Sequence, residues 1–302
     1  SGICAKADRK GDEQLERNLG EHPTIREVRD LEEEHDARPS PEAVVWPEDL
    51  EPKLKEFLET ELALFEELEG VSHIAEHSIR MRDDKPLKQR YYPKNPAMQK
   101  VINEQVDELL RAGAIGPSKS PHSAPIGLVW RVCVDYRQLN AHSIPDAYPV
   151  PRINHILERL RQAQFISTLD LKSGYWQIPM AADSREFTAF TVPGRGLFQW
   201  RVMPFGLHSA GATFQRALYT VIGPEMEPHA FAYLDDIVVI GASKEEHTAN
   251  LREVFRRLRA ANLKVNRKKC SFFREKLEYL GHVISGEGIC TDPAKVEAIR
   301  DF

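Results

Sequence analysis

The stretch His229-Ala-Phe-Ala-Tyr-Leu-Asp-Asp-Ile-Val-Val-Ile240 sets two adjacent carboxylates, Asp235 and Asp236, inside an otherwise apolar run. The apolar flanks read as two strands and the acidic pair between them as a hairpin corner. Taken alone, an Asp-Asp corner is as readily a solvated turn as a site. A second stretch tips the balance. Phe165-Ile-Ser-Thr-Leu-Asp170-Leu171 ends another apolar strand on a carboxylate, and Lys172-Ser-Gly-Tyr175-Trp176 then turns the chain. Three carboxylates at neighbouring strand ends repel and raise one another's pKa unless a cation lies among them. Hard oxygen donors suit Mg2+, which is typically held by one or two carboxylates together with substrate phosphates. Two such ions ~3.5–4 Å apart stabilise the attacking and leaving oxygens of an in-line displacement, the chemistry of nucleotide addition.

Outward from these strands, Pro96 opens a helix carrying Val101, Ile102, Val106, Leu109 and Leu110 up to a Gly113 stop. Further helices are expected at about 152–163, 209–222 and 245–261. Strands are expected near 126–134, 165–170, 187–192, 198–203, 229–234, 237–241 and 277–284. Val71 to Arg82 alternates like a strand as well. Helices and strands are interleaved without strict alternation, so the expected class is α+β rather than a doubly wound parallel sheet. Upstream, Leu54, Phe57, Leu58, Leu62, Phe65 and Leu68 recur at three and four residues, which reads as one amphipathic helix within 54–70. Pro39, Pro41, Pro47 and Pro52 favour an extended linker ahead of it.

Of the 302 residues, 41% are hydrophobic, enough for an ordinary core and too many for a disordered chain. The longest uncharged run, Val202 to Gln215, holds Pro204, Gly206 and Gly211 and offers no membrane helix. Cys4, Cys133, Cys270 and Cys290 are widely spaced, without a zinc or disulfide pattern, and are expected to be reduced thiols of an intracellular, cytoplasmic protein. The net charge of −5 conceals an asymmetry: residues 1–70 hold 9 Lys and Arg against 21 Asp and Glu, and the remainder 32 against 25. A basic body behind an acidic leader permits a polyanionic partner. Residues 1–53, largely disordered by composition, are expected to carry no part of the activity.

Two decoys are set aside. His73-Ile-Ala-Glu-His77 matches a zinc-protease spacing, but on an alternating segment the two imidazoles stand ~13 Å apart, too far to share one ion. Gly194-Arg195-Gly196 lacks the Lys-Ser/Thr and helix of a phosphate loop and reads as a hairpin turn.

The motifs Leu169-Asp170-Leu171-Lys172-Ser173-Gly174-Tyr175-Trp176, Phe187-Thr-Ala-Phe190, Met203-Pro-Phe-Gly206, Ala212-Thr-Phe-Gln215, Tyr233-Leu-Asp-Asp236 and Tyr279-Leu-Gly-His282 together resemble, in order and spacing, a reverse transcriptase. The family is that of gypsy-type long-terminal-repeat retrotransposons, in which the polymerase is part of a Pol polyprotein. The resemblance runs from about Val71 to the end. It implies a right-hand polymerase over 71–302, with fingers at about 85–151, a palm at about 152–284, a connection after 285 and the thumb essentially absent. It implies an RNA-directed DNA polymerase using an RNA or DNA template with primer, and dNTPs. Protease, ribonuclease H and integrase domains are expected alongside it in the intact element.

By position, Asp170 and Asp235 would bind two Mg2+ ions, Mn2+ being an alternative, and Asp236 would be the weaker third carboxylate. Tyr175 resembles the residue beneath the incoming sugar, where its ring would collide with a 2′-hydroxyl; Phe205 and Gly206 resemble the pocket floor. Trp130-Arg131-Val-Cys-Val-Asp135-Tyr-Arg137-Gln-Leu-Asn140 matches the fingers strand, in which Arg131 would contact the triphosphate. Arg137, Asn140 and Gln215 would lie along the template, and Leu280, Gly281 and His282 would support the primer end.

The chain departs from the family pattern where most relatives carry a basic hairpin of the type Lys-Lys-Lys-Asp-Gly: here Val129 and Trp130 abut. Gly127 and Gly211 stand where a β-branched residue and a Pro are usual. Without a residue pair suited to a two-residue turn, 128–131 are expected to run on extended or as a wide loop. The alternative implied is a catalytically impaired nucleic-acid-binding remnant.

Overall fold

A computed structural model of the chain describes residues 44, 46–128, 132–149, 153–161, 163–227, 229–233, 236–279, 282–285 and 288–291. All belong to one unit, Ala43–Phe302. The acidic leader expected over 1–38 lies outside the described residues.

The amphipathic pattern upstream forms helix α1 (Pro52–Glu66), with Leu58, Leu62 and Phe65 buried. Pro52 opens it where a missing N–H costs nothing. The segment ahead is packed, contrary to a pure linker: Val44 is buried, and Trp46 stacks on Phe272 at 5.9 Å. Burying an indole outweighs the extended bias of the neighbouring prolines. Helix α2 (Pro96–Arg111) is capped by Asn95, whose side chain accepts from the Met98 N–H at 2.8 Å.

Strands β1 (Ile115–Pro117), β2 (Ile126–Leu128) and β3 (Val132–Val134) follow, then α3 (Arg137–His142) and α4 (Ile153–Leu160). Next come β4 (Phe165–Asp170), β5 (Phe190–Val192), β6 (Gly196–Trp200), α5 (Ala210–Ile222), β7 (Ala230–Tyr233), β8 (Asp236–Gly241) and α6 (Lys244–Ala260). The last elements are β9 (Ser271–Arg274), β10 (Lys276–Tyr279), β11 (His282–Ser285) and β12 (Gly288–Thr291).

The central sheet is four-stranded and antiparallel, in the order β7-β8-β4-β9. Ile237-Val-Val-Ile240 of β8 is buried throughout, because both faces are covered. Leu169, Ile237 and Val239 join the main core, whereas Ile166, Val238 and Ile240 join a second cluster with Ile156 and Leu160 of α4. This division follows the period-two alternation of strands. The other sheets are β1-β6-β5, the ribbon β2-β3, and β10-β11-β12. Val192 pairs with Gly196, so Gly194-Arg195-Gly196 is the hairpin turn expected.

Three expectations are corrected. Val71 to Arg82 forms no strand: it makes only isolated bridges, His77 to Met180 and Met81 to Ser143, since no adjacent strand supplies a ladder. Phe187 and Thr188 belong to a 3₁₀ helix, Ala182–Thr188, and the strand begins at Phe190. There the Thr188 hydroxyl donates back to the Arg185 carbonyl at 2.7 Å, which favours the turn over extension. Finally, β2 and β3 pair antiparallel in the register Ile126↔Val134, Gly127↔Cys133, Leu128↔Val132. The pairing of Leu128 with Val132 means that the chain folds back between them instead of running on as one extended piece.

Two imidazoles are buried within this framework. His77 lies 2.8 Å from the Thr213 hydroxyl through Nδ1. Burial pushes it down to about 4, against the charge of Asp146 and with that of His208. Burial likewise takes His247 to about 4, the Ile240 carbonyl opposing. A His whose folded pKa is depressed stabilises the fold fully above its unfolded value near 6.5 and loses that contribution as pH falls towards 4. Urea midpoints are therefore expected to drop between pH 7 and 4.5, each His contributing up to about 3 kcal/mol over the interval. His77→Gln is expected to flatten that slope.

Candidate active site

Asp170 ends β4 and Asp236 begins β8, and the ladder pairs them directly: Leu169↔Ile237, then Asp170↔Asp236. Opposed residues of an antiparallel pair hold their Cβ atoms ~4.5–5.5 Å apart, and like charges there are destabilising. Both side chains are half-buried. Their joint field is felt at Cys270: burial pushes its thiol up to about 12, and the charges of Asp170 and Asp236 add to the rise. Two carboxylates set face to face at strand ends supply the hard oxygen donors a divalent cation requires. Among the described residues no group of three His, Cys, Asp or Glu could hold an ion. Asp235, the remaining expected ligand, lies outside them. Tyr233 pairs with Asp236, so β7 and β8 are joined across two residues.

The Asp170 backbone is held from the other side. Its carbonyl accepts from the Asn266 N–H at 2.7 Å, and Lys172 N–H donates to the Lys264 carbonyl at 3.0 Å. Ser173 then adopts a left-handed conformation, φ 47°, unusual for a residue with a Cβ, and turns the chain into the 3₁₀ segment Gly174–Gln177. Gly174 is required by close approach: a Cβ there would stand 2.7 Å from the Phe214 ring of α5.

This turn presents Tyr175. Its ring stacks on Phe205 with centroids 5.2 Å apart and 29° between planes, and meets Phe214 edge-on at 5.3 Å. Phe205 is 39% exposed. The loop carrying Phe205 and Gly206 is held by Asn140, whose Nδ2 donates to the Gly206 carbonyl at 2.8 Å and whose Oδ1 accepts from His208 N–H at 3.0 Å. Gly206 has φ +93°, which a side chain would strain. Gly211, in the first turn of α5, abuts the Tyr175 hydroxyl, its notional Cβ 3.4 Å away.

The remaining expected residues divide. Arg137 is exposed and makes a bidentate pair with Asp135, Nε to Oδ1 at 2.9 Å and Nη2 to Oδ2 at 2.6 Å. That hydrogen bonding is the largest cause holding the Asp135 carboxyl below its usual value. Gln215 is buried, its Nε2 donating to the Ala232 carbonyl at 2.9 Å and so tying α5 to β7. His282 lies in β11, paired with Tyr279 and Thr291. Arg131, Leu280 and Gly281 lie outside the described residues. Sequence reasoning passed over the basic surface around Lys85, Lys88 and Arg90, where Tyr91 and Tyr92 are 48% and 67% exposed. Basic residues leading into the adjacent pair Tyr91-Tyr92 were its legible signal.

Residues 127–284 match the family described as "Reverse transcriptase (RNA-dependent DNA polymerase)". The chain belongs to the reverse transcriptase family. It is 38% identical over 237 residues to the Retrovirus-related Pol polyprotein from transposon gypsy of Drosophila melanogaster, covering 74% of this chain and 23% of that protein. It is 36% identical over 245 residues to the corresponding polyprotein from transposon 412 of the same organism, covering 77% and 20%. The chain thus spans under a quarter of the length of these relatives. Among solved structures, the foamy viral protease-reverse transcriptase in complex with RNA/DNA hybrid superposes with a TM-score of 0.72 at 26% identity, covering 84% of this chain and 36% of that one. The same viral enzyme with double-stranded DNA gives 0.73 at 25% identity, covering 84% and 47%. The α+β reverse transcriptase fold and the membership of the gypsy group expected from the motifs are both upheld.

Proposed function

We propose that this chain is the RNA-directed DNA polymerase domain of a retrotransposon Pol polyprotein. In the proposed reaction the primer 3′ oxygen bonds to the α-phosphorus of a dNTP as the bond to pyrophosphate breaks. The single observation that carries the reading is the pairing of Asp170 with Asp236 at the mouth of two apolar strands, beside the stacked Tyr175 and Phe205. Asp170 and Asp236, with Asp235, would hold divalent cations, Mg2+ or Mn2+, which when bound supply charge neutralisation to the attacking and leaving oxygens. Tyr175 and Phe205 would flank the incoming sugar and base. Asn140 would keep that floor in place, and Arg131 would bind the triphosphate. Arg137 and the primer-end residues Leu280, Gly281 and His282 keep their proposed nucleic-acid roles, whereas Gln215, buried with its amide on the Ala232 carbonyl, would instead brace α5 against β7.

A primed single-stranded template is the partner of this reading. The exposed Lys85, Lys88, Arg90, Tyr91 and Tyr92 support it, since bases stack on aromatic rings while lysines and arginines follow the phosphates. The foamy viral relative is recorded with RNA/DNA hybrid and with double-stranded DNA, which supports the same partner here. Primer extension on an RNA template with Mg2+ tests the reading. In the chain carrying a restored basic hairpin between Val129 and Trp130, incorporation that requires dNTPs, template and Asp170 is the expected result.

Tyr175 gives a specificity prediction. Its ring is backed by Phe205 and Phe214 and cannot retreat from a 2′-hydroxyl. Tyr175→Val should raise ribonucleotide use relative to deoxynucleotide use by about ten- to a hundredfold, read as a ratio of kcat/KM values.

A further inference from the structure

A buried polar network lies three residues behind Asp170. Ser167 of β4 and His247 of α6 are both fully buried, with the Ser167 Oγ 2.7 Å from His247 Nε2. The same Oγ accepts from the Phe273 N–H of β9 at 3.1 Å. Because an amide N–H can only donate, the Ser167 hydroxyl keeps its own proton free for His247 Nε2, and a neutral imidazole accepting it would carry its proton on Nδ1. That Nδ1 closes no hydrogen bond of ordinary geometry. Elements that retain such a buried group require a reason for it.

The reason lies in the backbone of β9. Ile166 pairs with Arg274 and Thr168 with Ser271, so the single residue Ser167 faces two, Phe272 and Phe273. This is a β-bulge. Its second residue, Phe273, has φ 50°, a left-handed conformation that costs an aromatic residue of order 1–3 kcal/mol unless its surroundings hold it. Ser167 holds its N–H, and its ring is clasped edge-on between His247 at 4.8 Å and Phe165 at 6.4 Å. On the other side of the bulge the chain leads back through Cys270 to Asn266, whose N–H binds the Asp170 carbonyl. A slip of the bulge by one residue would move that whole support. The start of α6 is packed too tightly against the sheet to follow it: a Cβ on Gly241 would lie 2.6 Å from the His247 Cβ.

We propose that Ser167 and His247 are positioning residues for Asp170, locking the β9 bulge in the one phase that sets Asn266 against the Asp170 carbonyl. The inference rests on the reading of Asp170 as a metal-binding carboxylate, and its test is built so that the two stand or fall separately. Amide hydrogen exchange is followed without metal in the wild-type chain, Ser167→Ala, Ser167→Thr, His247→Leu and His247→Gln. Ser167→Ala and His247→Leu should speed exchange at Asn266 by about tenfold, the worth of one buried hydrogen bond, leaving Phe231 of β7 unchanged. Thr and Gln, which keep a hydroxyl and an acceptor, should restore protection.

Faster exchange at Phe273 alone, with Asn266 unmoved, would show the network to be merely local and overturn the proposal. Equal acceleration at Phe231 would show general loosening and overturn it as well. Mn2+ binding, titrated by electron paramagnetic resonance, supplies the second arm. Affinity lost in Asp170→Asn and weakened about tenfold in Ser167→Ala is expected. Binding insensitive to Asp170→Asn would refute the carboxylate reading and leave the positioning inference to be judged by exchange at Asn266.

Discussion

In the chain carrying a restored basic hairpin between Val129 and Trp130, Asp170→Asn is expected to abolish primer extension, a loss of at least about 10²–10³ in rate, while leaving the fold as stable as before or slightly more so. The two halves of this prediction have one cause. Asp170 and Asp236 face each other across the ladder, and their mutual repulsion opposes the pairing of β4 with β8. Removing one charge relieves about 0.2–1 kcal/mol of cross-strand repulsion. The same substitution removes a hard anionic donor from a site that needs several. Asp235→Asn should behave alike, and Asp236→Asn more mildly. Activity of Asp170→Asn within tenfold of the parent would sink the assignment, and a lowered Tm would show that the loss came from unfolding instead.

That the site works against local stability also explains why part of it was legible in the sequence. Acidic residues closing two largely apolar strands are together unusual for solvated turns, and Asp170 and Asp236 stood out for that reason. The helices were readable because apolar residues recur at 3.6 spacing: α1, α2, α5 and α6 lie within a few residues of their expected bounds. Strands were readable only where a neighbour completes them. Val71 to Arg82 alternates as regularly as β4 but meets single bridges, and no local pattern reveals whether a partner strand will arrive. Thr188 was misread for a related reason, since its hydroxyl bonds the carbonyl of Arg185 and also receives the N–H of Trp200 from across the sheet.

Side-chain roles were the least legible. Asn140 and Gln215 announce themselves as polar residues near a site, yet which backbone groups they hold depends on loops brought together from 66 to 68 residues away for Asn140 and 17 for Gln215. The bulge at Phe273 has no sequence signature at all, because a glycine would be the usual marker of its left-handed turn.

Restoring a basic hairpin between Val129 and Trp130 is the experiment with the second large expected effect. A polymerase must neutralise the triphosphate as the primer hydroxyl attacks, and each fixed donor on that charge is commonly worth ~10²–10³ in rate. In this chain Leu128 pairs directly with Val132, so three residues carry the whole reversal. The turn end of the ribbon is anchored all the same: the Gln105 side chain of α2 accepts from the Val132 N–H at 2.6 Å. An insertion of the Lys-Lys-Lys-Asp-Gly type therefore extends a ribbon whose register is already set and should leave α2 and the central sheet undisturbed. The chain as it stands should extend primers very weakly or undetectably while binding them. The extended chain should gain about 10²–10³ in rate, and changing the inserted lysines to Ala should remove most of that gain. Vigorous incorporation by the unextended chain, lost in Asp235→Asn, would show that Arg131 alone suffices for the triphosphate and that the short ribbon is no impairment.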